Sequence, residues 1–498
     1  MRDEKKKGTG VDMRKKFVML GIVSAMMMGL FAGCGSDTGN KEDNTATQTD
    51  ANGSNVDVND NNVDDKDVSE EDLKSAGAVV ADGVNSTGYA IFKNLYDGEN
   101  ICISPYSIES AMAMITNGAE NDTLRELMES LGIEDIDSFN QAMKTVNSGL
   151  QVDGATVDIA NSLWRNGSVK DTFAEDLKDY YSAEVKDVDF SDEGTVDEIN
   201  QWVSNATNDK INRLVDRLDS GTNAVILNAV YFNGKFAEPF PKNNTMEGRF
   251  FTGDGSNIKT DMMAIYDGSF PYYEGNGLKA VRLAYEDSNV VMDLYITDKN
   301  GMEVEGENAV DIYNSLTDEQ KQEMYNALST GEVKELTVLS MPKFEFASET
   351  ISIKDVLMKM GINKAFSEDA EFGKIGDNTM LSDVLHKTYI KVDEEGTEAA
   401  GVTAGLTKET AMPVEEVYNF VADQPFVYVI SDSSTRAILF MGAMTDVGPA
   451  VDYKCTADKD ESGYQKNSER KQQWELYILQ DTDRPYGMWR IRSVEQQT

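Results

Sequence analysis

A chain of 498 residues with 46 Lys and Arg against 88 Asp and Glu carries a net charge of −42, which argues against nucleic acid, heparin-like polyanions or an anionic membrane face as electrostatic partners. Its length allows one large domain or a few small ones and a sizeable core. Cys34, Cys102 and Cys455 are too few for a disulfide framework and form no C-x-x-C pair, so neither redox nor zinc chemistry is indicated.

Residues 1–16 hold a basic cluster, with Met1 and Met13 both candidate starts. Phe17 to Ala32 is an apolar stretch that ends in small residues before Cys34, so residues 1–33 read as a signal peptide. A spanning helix is the competing reading, although it needs ~20 apolar residues and this run falls short. Leu30-Phe31-Ala32-Gly33-Cys34 resembles the lipobox of bacterial lipoproteins, with Phe31 where Leu is commoner. That resemblance implies that Cys34 is the lipid attachment point and that the protein sits on the outer face of a bacterial membrane, or is secreted. Residues 34–74 are mostly Asp, Asn, Thr, Ser and Gly. Such a segment buries too little surface to offset its ordering entropy and is expected to be a disordered tether. Asp57, Asn59 and Asn61 open like a calcium loop, but Asn62 stands where the turn glycine belongs and Val68 where a bidentate Glu is needed, so the spacing is taken as chance.

A folded domain is expected over 75–447. Tyr89 to Tyr96 has helical spacing, and Asn100 to Ile108 reads as a buried strand turning into a helix that runs to Asn117, with Ser104 as N-cap and Pro105 at the first helical position. Cys102 is a small buried hydrophobe in that strand. Ala160 to Trp164 is strand-like, Ile199 to Leu214 a broken helix, and Ala224 to Phe240 a long strand and turn. Gly248 to Lys299 alternates strands with turns, and Thr317 to Gln320 is a capping box opening a helix to about Leu328. Leu336 to Phe346 reads as a strand, Ile353 to Ile362 as a helix, Leu381 to Val392 as a strand, and the run from Pro425 and Ala437 to Met444 as the last strands. Residues 448–498 form a polar C-terminal extension with Trp474 and Trp489, for which disorder and a small docked helix are both open and nothing points to a second catalytic domain.

Between two of those strands lies a run of small residues: Gly396, Thr397, Glu398, Ala399, Ala400, Gly401, Val402, Thr403, Ala404 and Gly405. As a strand it would put Thr397, Ala399, Gly401, Thr403 and Gly405 on one face, able to cover a core, and leave Glu398 in water on the other. A flexible Ala/Gly surface loop is the alternative reading.

Glu394-Glu395-Gly396-Thr397-Glu398-Ala399-Ala400 resembles the reactive-centre-loop hinge of inhibitory serpins, the serine protease inhibitor family. Ser104-Pro105-Tyr106-Ser107-Ile108, Gly118 to Thr123, Ala224 to Phe240, the Pro342-Lys343-Phe344 strand and Ala370-Glu371-Phe372 resemble other blocks of that family in order, over about residues 78–447. Phe236 departs from a usual Trp, which implies altered packing. The resemblance implies an α+β fold of large mixed sheets with about eight to nine helices and an exposed loop over about 395–424. It also implies an unfilled gap between two strands, into which the loop inserts from Thr397 onwards after a serine protease has cut it and formed an acyl-enzyme. Hinge spacing puts the cut at Thr410-Ala411; counting back from Pro425 gives Val414-Glu415, and Met412-Pro413 is disfavoured by the proline. A small residue there implies an elastase- or subtilisin-like target, with Lys408 a weaker trypsin-like option. The expected protein is a monomer with no cofactor.

His386 is the only histidine. A Ser/His hydrolase is disfavoured because no G-x-S-x-G elbow exists, and a lone histidine makes a poor metal site. Gly234-Lys235 and Gly373-Lys374 lack the rest of a phosphate loop. The resemblance instead implies that His386 bonds Asn228 on the neighbouring strand, with Ser104 and Ser107 below, holding the sheet closed until the loop enters. A non-inhibitory binding or scaffold protein on the same fold is the second reading; the small-residue hinge separates the two.

Overall fold

The structure, a computed structural model, describes residues 68–449 apart from 153–154, 168, 193, 219–220, 299–307, 332 and 398–416. The expected signal peptide, Cys34 and the expected tether up to residue 67, and 450–498 of the C-terminal extension lie outside the described residues. No helix among the described residues is long and apolar enough to cross a membrane.

The first helix, Glu70–Leu95, begins upstream of the Ser75 start expected from composition. Its cause is local: Ser69 and Asp72 form a capping box that satisfies amides the first turn leaves open. Once started, the helix buries Leu73, Ala76, Val80, Val84, Ile91 and Phe92 along one stripe. Gly88 lets it approach the next helix, Pro105–Gly118, closely; a Cβ there would stand 2.5 Å from the Pro105 Cβ. Ser104 is that second helix's N-cap, its hydroxyl accepting from the Ser107 amide, with Pro105 in the first turn as expected.

Nine α-helices occur among the described residues, around two large sheets. The nine-stranded sheet runs, in spatial order, Ile101–Ile103, Ile438–Met444, Phe426–Asp432, Val290–Thr297, Leu278–Ala284, Asn257–Gly275, Val333–Pro342 and Tyr418–Val421, with Met246–Phe251 on the long Asn257–Gly275 strand. The eight-stranded main sheet runs Phe344–Ala347, Asp383–Asp393, Gly396–Thr397, Ala224–Lys235, Ala155–Asn166 and Gln151–Val152, with Ile351–Ser352 and Glu184–Val188 as additional pairings. This is the α+β arrangement of mixed sheets expected from the sequence.

Both faces of the main sheet are covered, and its strands alternate between two cores. Ala224, Ile226, Val230 and Phe232 face the larger core, while Val225, Leu227, Ala229 and Tyr231 pack under the helix Gly194–Ala206 with Ile199 and Val203. That helix ends at Ala206, short of the Leu214 expected; Ile211, Leu214 and Val215 are buried in the same cluster outside any helix. The Thr207 hydroxyl terminates it by donating to the Val203 carbonyl while accepting from the Ile211 amide.

One buried group conflicts with its surroundings. Glu109, on the inner helix Pro105–Gly118, has no exposed surface and neither carboxylate oxygen has a hydrogen-bond partner. Desolvation pushes its pKa up to about 8, offset only in part by the Thr87 hydroxyl nearby, which lies outside hydrogen-bonding geometry. The folded chain therefore holds a proton that the unfolded chain releases near pH 4.5, and stability falls as pH rises from there to about 8. Glu109→Gln removes that titration. Unfolding free energies of the two proteins from urea melts should diverge by about 1.4 kcal/mol per pH unit in that window, the variant gaining on the parent; parallel pH profiles would show that Glu109 does not titrate in the fold.

Candidate functional site

Asp383–Asp393 and Ala224–Lys235 lie side by side and parallel, hydrogen-bonded from Asp383 opposite Val225 to Tyr389 opposite Tyr231. The unfilled gap expected between them is absent, because the two strands pair directly. Above Tyr389 they part, and the chain doubles back into the fork. Gly396 and Thr397 pair antiparallel with Asp393 and Val392 on one side and with Lys235 and Gly234 on the other. Thr397 thus starts a third strand aimed down the seam. The exposed loop expected over 395–424 is correspondingly shorter: Glu395 is buried in the turn before the fork, Gly396 and Thr397 are buried in the sheet, and Tyr418–Val421 is an edge strand parallel to Val333–Pro342.

Backbone geometry confines the fork to one residue type. Gly396 has φ 141°, and a Cβ there would collide with the Gly234 carbonyl oxygen and stand 2.8 Å from Lys235 Cα. The preceding turn is anchored by main-chain bonds: the Phe236 amide donates to the Glu395 carbonyl at 2.8 Å and the Phe240 amide to the Glu394 carbonyl at 2.7 Å. Side chains add two ion pairs. Lys343 lies 3.1 Å from the Glu394 carboxylate, which also accepts from Thr245 at 2.8 Å, and Lys242 pairs with Glu395. Burial opposes ionisation of Glu394, but Thr245, its own backbone amide and Lys343 together hold its pKa below the ordinary value. Thr397 has no exposed surface, and its hydroxyl meets that of Tyr285 at 2.9 Å.

Further down the seam a row of polar side chains crosses three strands in register. His386 is opposite Asn228, and Asn228 is opposite Asn161 on Ala155–Asn166. All three face the larger core, where apolar residues would otherwise stand, and all are buried. The Ser104 amide donates to His386 Nε2 at 3.1 Å, so Nε2 carries no proton and Nδ1–H donates to Asn228 Oδ1. The Asn228 amide group donates to the Ser107 carbonyl at 3.1 Å, to the Ser107 hydroxyl and to Asn161 Oδ1 at 2.6 Å. Asn161 in turn donates to Ser110 Oγ at 2.9 Å. Desolvation lowers the His386 pKa to about 3, leaving the ring neutral.

Of the residues singled out from sequence, Ser104, Ser107, Asn228 and His386 meet in this row, and Glu394, Glu395, Gly396 and Thr397 meet at the fork. Ser104 reaches His386 through its amide; its hydroxyl is committed to capping the helix. Glu398, Ala399, Ala400, Gly401, Val402, Thr403, Ala404, Thr410 and Ala411 lie outside the described residues. Asn161, Ser110, Tyr285, Lys242, Lys343 and Thr245 belong to the site and were not singled out. Asn161 left a signal, a polar side chain on the core-facing side of an apolar strand; Tyr285 left none, since its partner is far away in sequence.

The family model for the serpin, a serine protease inhibitor, matches residues 82–447. The chain belongs to the serpin family. An uncharacterized serpin-like protein of Methanosarcina mazei is 32% identical over 450 residues, covering 86% of this chain and 97% of its own. Intracellular coagulation inhibitor 2 of Tachypleus tridentatus is 30% identical over 395 residues, 76% of this chain and 92% of its own. Among solved structures, Serpin48 of the insect Tenebrio molitor superposes with a TM-score of 0.63 at 27% identity, covering 76% of this chain and 99% of that one. In this serpin Phe236 stacks on Tyr285 with ring centroids 5.1 Å apart, and Phe232 meets the same ring edge-on at 5.0 Å.

The neutral His386 gives the serpin an acid-sensitive seam. Unfolding frees the imidazole to bind a proton near pH 6.5, whereas the folded ring resists it down to about 3. The stability this contributes is complete above pH 6.5 and is lost as pH falls towards 3. His386→Gln should flatten that limb, so that between pH 6 and 4 the parent loses about 1.4 kcal/mol per pH unit relative to the variant. Denaturant melts at a series of pH values test this, and equal acid slopes would exclude His386 as the cause.

Proposed function

We propose that this serpin inhibits serine proteases by suicide-substrate trapping. The observation that carries the reading is the strand begun at Gly396 and Thr397, which points the chain into a seam that it enters antiparallel to both neighbours. In the proposed reaction the protease's serine Oγ attacks the Thr410 carbonyl carbon. The bond to Ala411 breaks, the new amine takes the proton, and an ester joins protease and inhibitor. The freed segment from Glu398 then extends the strand, parting Asp383–Asp393 from Ala224–Lys235. One parallel ladder is exchanged for two antiparallel ones, a gain blocked kinetically while the loop is tied at both ends. The His386–Asn228 bond crosses that path and acts as a clasp, since buried polar partners part only at a cost.

The small residues at Thr410 and Ala411 favour an elastase- or subtilisin-like enzyme as the target. For location, we propose lipid anchoring through Cys34 outside a bacterial cell, where the segment between Cys34 and the helix cap at Ser69 would hold the inhibitor away from the membrane.

Incubation with elastase-, subtilisin- and trypsin-like enzymes should give, with at least one, a covalent complex that survives boiling in detergent, and sequencing the released fragment should begin at Ala411. Loop cleavage should raise the melting temperature by roughly 10 °C or more, at about 1 kcal/mol per new ladder bond. Thr397→Arg, which would bury an unpaired charge at the fork, should yield only cleaved inhibitor. A cleaved protein that melts with the intact one, and no trapped enzyme, would leave a non-inhibitory binder. Cys34→Ser should move the protein from the membrane fraction into the medium; membrane retention would favour a spanning helix over residues 17–32.

A further inference from the structure

Tyr285 belongs to the connection that follows the strand Leu278–Ala284, outside the main sheet, yet its hydroxyl reaches Thr397 Oγ1 at 2.9 Å in a fully buried place. Its ring is held by the stack on Phe236 and the edge contact with Phe232, and the same segment bridges Phe236 through the main chain. The hydroxyl is therefore positioned independently of the hinge and presents Thr397 with a fixed partner. We propose that Tyr285 is a positioning residue that seats the first residue of the inserting strand before any protease arrives; this rests on the trapping reading above.

The bond acts on the start of insertion. A strand that lengthens down the seam from Thr397 leaves Thr397 opposite Gly234 and Val392, so its hydroxyl stays beside Tyr285 throughout. A contact kept in both end states does not set their difference. It sets the fraction of molecules whose hinge is seated when the loop is cut. Without it, each insertion must first bring Gly396 and Thr397 into the fork, fixing backbone for few hydrogen bonds. Because the acyl-enzyme partitions between insertion and hydrolysis, a lower seated fraction sends more inhibitor to the cleaved product.

Phe236 fits this arrangement. A tryptophan there would bring an indole N–H that needs a partner when buried, whereas the phenylalanine ring competes for neither hydroxyl. Tyr285 and Thr397 are free to serve each other.

The test is Tyr285→Phe, which keeps the ring and deletes the hydroxyl, alongside Thr397→Val and the double variant, all in the full chain. Hydrogen exchange by mass spectrometry is followed in peptides covering residues 392–397 and 233–236, and the ratio of cleaved to complexed inhibitor is measured with whichever protease the parent traps. Losing the bond and leaving one buried hydroxyl unpaired should speed exchange at the fork and raise the cleaved-to-complexed ratio, each by about tenfold. The double variant, with both hydroxyls replaced by apolar groups of matching shape, should return towards the parent, a recovery that packing alone would not produce. Unchanged exchange and unchanged partitioning in Tyr285→Phe, with the parent still trapping protease, would overturn the role of Tyr285 and leave the inhibitor reading intact. Faster exchange in Tyr285→Phe, with no enzyme trapped even by the parent, would support the seating and remove the inhibitor reading instead.

Discussion

The structure depends on one seam: two parallel strands, Asp383–Asp393 and Ala224–Lys235, that pair along most of their length and fork at the top. Parallel neighbours need no direct hairpin between them, so the chain leaving the first strand is free to turn back between the two. Because it turns back, whatever enters the fork runs antiparallel to both sides. Gly396 and Thr397 already pair in this sense, and in the proposed mechanism a continuation of that strand would displace pairing that exists.

The seam is defended with polar groups where hydrocarbon would be cheaper to bury. His386, Asn228 and Asn161 stand in register on the core side, each with a partner, and they tie the strands to the start of the helix Pro105–Gly118. An apolar seam would resist opening only through packing, which recovers as soon as another strand slides in. Hydrogen bonds of fixed geometry make the closed state specific. The same helix carries Glu109, whose carboxylate has no such partners. Desolvation therefore acts with opposite signs on two titrating groups far apart in sequence, resisting the charged form of a base in the seam and of an acid on the helix that follows its partner Ser104.

Both ends of the loop are tied into sheets, the near end at the fork and the far end through Tyr418–Val421 against Val333–Pro342. In the proposed mechanism this double attachment is the kinetic barrier. A chain held at Tyr418 cannot feed residues into the seam, however favourable the new ladders are, until one bond between the two anchors is cut. The far anchor is a short edge strand of the neighbouring sheet.

Much of this was legible in the sequence because it is local. Caps at Ser104 and Thr317, the alternation of Ala224 to Lys235 and the small residues after Gly396 each follow from a few neighbouring side chains. The family likeness of those blocks carried His386, Asn228, Ser104 and Ser107 as a set. Composition misjudged the edge of the tether, where Ser69 and Asp72 cap a helix inside a polar run, and the end of the helix near Ala206, where apolar spacing continues without helical backbone; the helix expected over Ile353 to Ile362 covers only Lys354–Lys359, and the strand expected over Leu336 to Phe346 is split between two sheets. What tertiary structure alone decided is which distant groups face one another. The closed seam in place of a gap, the row completed by Asn161 and Ser110, the lysines at Glu394 and Glu395, and Tyr285 at Thr397 all depend on strand register across long separations. Periodicity along the chain determines which face a side chain takes, but the residue opposite it is settled only when the strands are laid side by side.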